Sequence, residues 1–314
     1  MKSQSHVVLR SNLLLLLAAT IWGFAFVAQR VGTNYIGAFT FNGARFILGA
    51  CTLLPLLLWR RRHTASPMPV VSCKTVLLGG IAAGVIMFLG AYLQQFGVKY
   101  TTAGNAGFIT CLYVILVPIF GIFLKQPMNR DIWIGAILAV IGMYLLSVTA
   151  EFHVNFGDIF VFIGAFFWAL HVQFIGWISR RADAIVVAFI QYIACAVFSL
   201  ICACLFESAT INAFLQSSIA IAYCGILSVG VAFTLQIVGQ RHAQASHAAI
   251  IMSLEAVFAA LGGWLFLRES LTFRGLIGCG LMLLGMLASQ SLFSNISLKR
   301  LYAFCFRTPL KYEE

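Results

Sequence analysis

Two ionisable side chains, Arg45 and Glu255, stand inside long apolar runs of this 314-residue chain. A charge near the centre of a bilayer costs at least about 2.5–3.5 kcal/mol on insertion scales, so it faces a partner, a cavity or a transported solute. Glu255 follows His247 by eight residues with Ile251 between them, the spacing of one helix face. His171, His247 and Glu255 are the groups in the apolar runs that can carry a proton, and Glu255 is the candidate coupling residue. Arg45 stands only a few residues into its run. It can snorkel to the membrane surface or neutralise a carboxylate, that of Glu255 or of a substrate. A cavity with one cation and one anion suits a zwitterion or a neutral polar solute and suits a polyanion poorly.

Aromatic and amide side chains interrupt the same runs. The segment 168-WALHVQFIGW-177 places Trp168 and His171 on one helix face, and Trp22, Phe26 and Gln29 are spaced alike near the start of the chain. Aromatics beside a few polar groups are how small-molecule sites are lined. Gln95, Gln191 and Gln236 are further lining candidates. The competing role for all of these is interhelical hydrogen bonding, worth about 0.6 kcal/mol per contact. No G-x-S-x-G, H-E-x-x-H or Walker A string is present, and the six histidines are dispersed. No enzyme, metal site or cofactor is therefore expected.

Composition says what must hold these residues. The chain is 61% hydrophobic and 9% charged, against roughly 45–50% and about 25% in soluble domains. Its mean hydropathy is +0.97. Lipid must be the main solvent. The net charge of +11 is scattered through short connectors rather than gathered into a patch, which argues against nucleic acid and for a membrane surface. Cysteines such as Cys51, Cys111, Cys195 and Cys224 lie in apolar runs, where they act as small hydrophobes.

Runs near the roughly 20 residues a crossing helix needs fall at 12–29, 36–58, 76–98, 102–124, 132–149, 158–178, 184–206, 217–240, 243–267 and 273–293. The first is longer than a signal-peptide core and lacks an A-x-A site after it, so it reads as a permanent helix. With the N-terminus in the cytoplasm, sixteen basic residues fall inside, Arg268 and Arg274 among them, while Arg30, Lys99 and Arg241 fall outside. That bias follows the positive-inside rule. Glu151, Asp158 and Glu207 fall in or beside outside connectors. Both termini are then cytoplasmic, and residues 294–314, with Lys299, Arg300, Arg307 and Lys311, form a basic tail on the membrane surface.

The sequence repeats itself. Residues 93-LQQFGVKYTTAGNAGFITCL-112 align without gaps, at a spacing of 142, with 235-LQIVGQRHAQASHAAIIMSL-254. One inserted residue later 135-GAILAVIGM-143 matches 278-GCGLMLLGM-286, and Trp22 corresponds to Trp168. His247 then matches Asn105 and Glu255 matches Tyr113, which adds Asn105 and Tyr113 to the candidate lining. Five spans per half is an odd number, so the halves cross the membrane in opposite directions. The expected fold is an all-α polytopic membrane protein of ten transmembrane helices in two inverted five-helix repeats. A cytoplasmic segment 1–11 precedes the repeats, at 12–149 and 150–293. Binding sites in such repeats lie at the bilayer midplane, between the halves. Pro118 predicts a kink in the fourth helix that the ninth, with Ala259 and Ala260 there, need not share. Gly79, Gly80, Gly84 and Gly90, and Gly225, Gly230 and Gly239, suit close helix packing.

Together 20-TIWGFAFVAQR-30, 41-FNGARF-46, 101-TTAGNAGFITCLYVILVPIFGIFL-124 and 246-SHAAIIMSLEAVFAALGGWLFLRES-270 resemble the EamA-type permeases of the drug/metabolite transporter superfamily, over residues 12–293. The family's Leu-x-Glu helix end is matched by Leu267-Arg268-Glu269, whereas the first half reads Leu124-Lys125-Gln126 and lacks the acid. The resemblance implies a ten-helix transporter of the cell's inner membrane with a central cavity, exporting or exchanging a small polar metabolite. Membrane lipid and that substrate are the expected partners, with protons as a candidate coupling ion, while monomer and homodimer stay open. A lipid or amphiphile flippase on the same fold is the alternative, and a wide amphipathic groove opening to lipid would mark it.

Overall fold

The computed structural model describes residues 2–63, 72–147 and 155–289, and every regular element among them is a helix. We number them α1 Lys2–Gly32, α2 Ala38–His63, α3 Cys73–Val98, α4 Ala103–Phe123, α5 Arg130–Ser147, α6 Phe156–Ile178, α7 Ala184–Phe206, α8 Ile211–Gln240, α9 Ala245–Leu267 and α10 Phe273–Ser289. Among the described residues eight of them (all but α5 and α10) are long and apolar enough to cross a membrane. Helices α5 and α10 have 18 and 17 residues. The tail 294–314 and Glu151 lie outside the described residues. Local starts are encoded by short polar side chains: Ser72, Thr102 and Thr210 accept from the backbone N–H three residues on, and Asp183 accepts from Ile185 and Val186.

Helices α1–α4 and α6–α9 surround the main buried cluster, which includes Leu15, Phe46, Met87, Tyr113, Trp168, Tyr192 and Phe233. Helix α1 packs against α9 and α8, α6 against α4 and α3, α2 against α7, and α5 against α10. The α5–α10 crossing is antiparallel and backbone to backbone. A Cβ on Gly135 would lie 2.7 Å from the Gly285 carbonyl, and one on Gly142 would lie 2.5 Å from that of Gly278. The sequence repeat matches Gly135 to Gly278 and Gly142 to Gly285, and the same four glycines meet crosswise. Large apolar side chains such as Phe123, Ile211, Ile219 and Phe273 point outward, as a lipid-facing surface requires.

Helices α4 and α9 are each broken, at Cys111-Leu112 and at Ser253-Leu254. Hydrogen bonds of the tighter i→i+3 kind bridge both breaks: Val114 donates to Cys111, and Ala256 to Ser253. Pro118 lies six residues beyond the first break, and α9 breaks at the matching place without a proline. The proline is therefore not needed for the break, which the two helices share. Helix α8 carries a wide π-helical stretch, Tyr223–Phe233.

Contacts between connectors correct the side assigned to three arginines. The Glu269 carboxylate accepts from the start of α4, and Arg30 donates to the carbonyls of Val98 and Lys99, so Arg268 and Arg274 share an end with Lys99. Arg180 donates to the Ala243 carbonyl at 3.0 Å, which puts Arg241 at the end of Arg180. The bias among the assigned residues becomes fifteen against four and keeps its direction. We call these the Glu269 end and the Arg180 end.

Candidate substrate cavity

Inside the bundle lies a cavity of about 40 Å³, measured to the centres of water-sized molecules, room for roughly three waters. The two breaks and the π-helical stretch all meet it. Its wall is aromatic on one side: Phe233 stands between Trp168, with centroids 5.7 Å apart and planes at 22°, and Trp22, at 4.7 Å and 56°. Both indoles are held by hydrogen bonds. Trp22 Nε1 donates to the Ser228 carbonyl at 3.2 Å, and Trp168 Nε1 to Gln94 Oε1 at 2.7 Å. Gln94 Nε2 in turn donates to Gln29 Oε1 at 3.0 Å, so three helices fix one amide chain.

The charged groups face the same space. Glu255 begins the second half of α9 and is 5% exposed. Its carboxylate accepts from the Cys111 thiol at 3.5 Å and lies beside the Tyr113 hydroxyl. Arg45 is 2% exposed, so it does not snorkel out; its guanidinium lies over the rings of Phe46 and Phe41, at 5.1 and 5.6 Å. Arg45 and Glu255 line one cavity without forming an ion pair. Three polar atoms of the lining residues, Arg45 Nε, Thr110 Oγ1 and Gln236 Oε1, have no hydrogen-bond partner in the protein. Buried polar atoms are nearly always paired, so these three lining residues carry unused hydrogen-bonding capacity, as do Asn42, Ser179 and Ser199 elsewhere among the described residues.

Of the expected residues, Trp22, Phe26, Gln29, Arg45, Tyr113, Trp168, Gln236 and Glu255 line the cavity. The other five do not. His171 stands behind Trp168 and pairs with Gln191 at 3.1 Å, so both are supports of the wall. Gln95 turns away and donates to the Gln29 carbonyl at 3.3 Å. Asn105 sits in the first turn of α4, bonded through its backbone to Thr102. His247 pairs with Ser289 and Asn12 at the Arg180 end, because the break at Ser253-Leu254 interrupts the helix face it was expected to share with Glu255.

The lining residues missed from sequence are Gln94, Thr110, Val172, Ser228, Phe233 and Met252. Completing the repeat pairs would have found two, Gln94 and Val172; Thr110 and Met252 match only each other. Gln94 matches Gln236, Thr110 matches Met252 at the same spacing of 142, and Val172 matches Phe26 at the Trp22–Trp168 spacing of 146. Ser228 and Phe233 carried no such signal, since the π-helical stretch that turns them inward has no counterpart in α3.

The sequence profile of the EamA-like transporter family matches residues 9–148 and again 155–289. An uncharacterized transporter of Archaeoglobus fulgidus is 32% identical over 286 residues, covering 89% of this chain and 85% of its own. The uncharacterized transporter YoaV of Bacillus subtilis is 24% identical over 282 residues, covering 88% and 94%. One solved crystal structure superimposes with a TM-score of 0.73 at 19% identity, covering 91% of this chain and 98% of that one, a likeness of fold. With a polytopic helical fold, a cavity inside it lined by aromatic and a few polar side chains, and a family match over both stretches, the chain belongs to the EamA-like transporter family.

Proposed function

We propose that this protein is a secondary transporter of a small zwitterionic or neutral polar metabolite, such as an amino acid or a related compound, working by alternating access as an exporter or exchanger. In this reading all ten helices cross the cell's inner membrane, both termini are cytoplasmic, and 12–149 and 150–293 are inverted repeats. Two matches of one family profile and the antiparallel meeting of repeat-matched glycines in α5 and α10 support the repeat. The observation that carries the substrate class is the cavity itself. It presents Arg45 and Glu255 unpaired with one another, beside unpartnered polar atoms and an indole–phenyl–indole wall. A zwitterion satisfies both charges at once, and an apolar side chain lies against the rings.

The test is thermal stability of the purified protein against pools of amino acids, nucleosides, S-adenosyl compounds, polyamines and lipid headgroups. A ligand at about 100 times its Kd adds roughly 2.7 kcal/mol to the folded state. A hit among zwitterions that disappears in Glu255→Gln and Trp168→Ala supports the reading. Stabilisation by di- or triphosphates, with the zwitterions silent, overturns it.

A second reading, a lipid or amphiphile flippase, has one observation in its favour. A larger cavity of about 630 Å³ lies at the Arg180 end, lined both by apolar side chains (Leu170, Phe174, Trp177) and by polar ones (Gln126, Arg180, Arg181). Movement of a headgroup-labelled lipid between leaflets of vesicles holding the protein, at a rate above empty vesicles, would favour it over the solute reading.

A further inference from the structure

The two ends of the bundle are closed by different chemistry. At the Glu269 end two carboxylates each hold the start of a helix from the first profile-matched stretch, and both belong to the second. Glu269 accepts from the backbone N–H groups of Ala103 and Gly104, at 3.1 and 3.2 Å, in the first turn of α4. Glu207 accepts from the N–H groups of Phe39 and Thr40, at 2.9 and 2.8 Å, and from the Thr40 hydroxyl at 2.7 Å, in the first turn of α2. An anion on exposed N–H groups at a helix start makes charge-assisted bonds and meets the positive end of the helix dipole. Glycines leave the room: a Cβ on Gly37 would collide with Glu207 and one on Gly263 with Glu269.

The Arg180 end has the same frame without the acid at the matching position; its own acid, Asp183, caps α7 within the same half. Lys125 and Arg268, matched by the repeat, both take the left-handed conformation, at φ 54° and 56°, so the next side chain turns back over the bundle in each half. That next residue is Glu269 in one half and Gln126 in the other. Gln126 stands beside Gly121, the match of Gly263, but donates to Gln173 at 2.8 Å instead of holding a helix start. The start of α9, the match of α4, has no side-chain cap. The cavity of about 630 Å³ opens at this place, lined by Gln126, Gln173, Gln244 and Ala245.

We propose that Glu269 and Glu207 are positioning residues that latch the Glu269 end shut in the resting protein, so that the Arg180 end is the one that opens first. The proposal rests on the transporter reading, since it assigns the two ends to the two faces of one membrane. A contact made in only one conformation shifts the equilibrium by its own free energy. Removing the Glu269 charge raises the fraction open at that end, and moving the charge to position 126 does the reverse.

The experiment is side-specific labelling of the full chain in oriented vesicles, with Ser228→Cys as the cavity thiol, Thr110→Cys as a second position and the chain without either as background. A membrane-impermeant thiol reagent is applied from each face. Glu269→Gln is expected to raise the labelling rate from the Glu269 face about tenfold and to lower it from the other face. Gln126→Glu is expected to lower it from the Arg180 face. Equal acceleration from both faces means general loosening and overturns the latch, as do unchanged rates in a variant with unaltered thermal stability. If Glu269→Gln does not fold, Gln126→Glu decides alone. Because labelling needs no substrate, a wrong substrate class leaves this result standing, whereas labelling in every variant from a single face only would refute alternating access itself.

Discussion

Gln94 and Gln95 are adjacent in sequence and opposite in consequence, which makes the pair a sharp test of the cavity wall. Gln94 accepts from Trp168 Nε1 at 2.7 Å and donates to Gln29 Oε1 at 3.0 Å, all three side chains being buried. Gln94→Leu keeps the volume and leaves one donor and one acceptor without partners. Interhelical hydrogen bonds in membranes average about 0.6 kcal/mol, and each orphaned buried group adds about 1–3 kcal/mol. Two orphaned groups therefore put the expected loss at about 2–6 kcal/mol. Gln95 makes one longer bond, at 3.3 Å, and its Oε1 already lacks a partner. Gln95→Leu removes an unsatisfied acceptor along with a weak donor contact, so it should cost less than about 1 kcal/mol. Reversible unfolding in mixed micelles measures both, and ligand titration should show weaker binding in Gln94→Leu alone, because Trp168 loses its anchor. A Gln95→Leu loss equal to that of Gln94→Leu would refute the assigned wall.

Other expectations concern charge, packing and side. If protons are coupled, Glu255→Gln keeps its fold and loses transport driven by a pH gradient; vesicle uptake with and without the gradient decides this. Arg45→Gln should weaken binding of solutes carrying a carboxylate by about tenfold, the worth of one charge-assisted bond, and leave neutral solutes nearly unaffected in the same titration. Gly135→Leu forces α5 from α10, where the Gly285 carbonyl leaves no room, at a cost of about 1–3 kcal/mol or more. Gly280→Leu on the same pair meets nothing within 4 Å and should unfold with the parent protein. His247→Ala should lower stability through its lost bonds to Ser289 and Asn12 while ligand affinity stays put, since the ring points away from the cavity.

The sequence alone determined the solvent, the number of apolar runs and their internal repeat, because hydropathy and self-similarity are properties of the chain read in one dimension. It also located most of the cavity, through charges too expensive to face lipid and through aromatics paired by the repeat. The sides of Arg241, Arg268 and Arg274 were legible too, since counting crossings gives the placement their contacts show. Only the tertiary structure decided which of two neighbouring glutamines faces inward. Helix α3 is apolar all round, so no polar stripe sets its rotation, and about 100° separates successive residues. The breaks at Cys111-Leu112 and Ser253-Leu254 have no proline to announce them, and they turned His247 away from Glu255. The π-helical stretch brought in Ser228 and Phe233 without a sequence mark. The difference between the ends became visible only when Glu269 was found on the start of α4 and Gln126 was not on the start of α9. A missing acid can be read from a sequence, but what it would have held is a contact between residues more than a hundred positions apart.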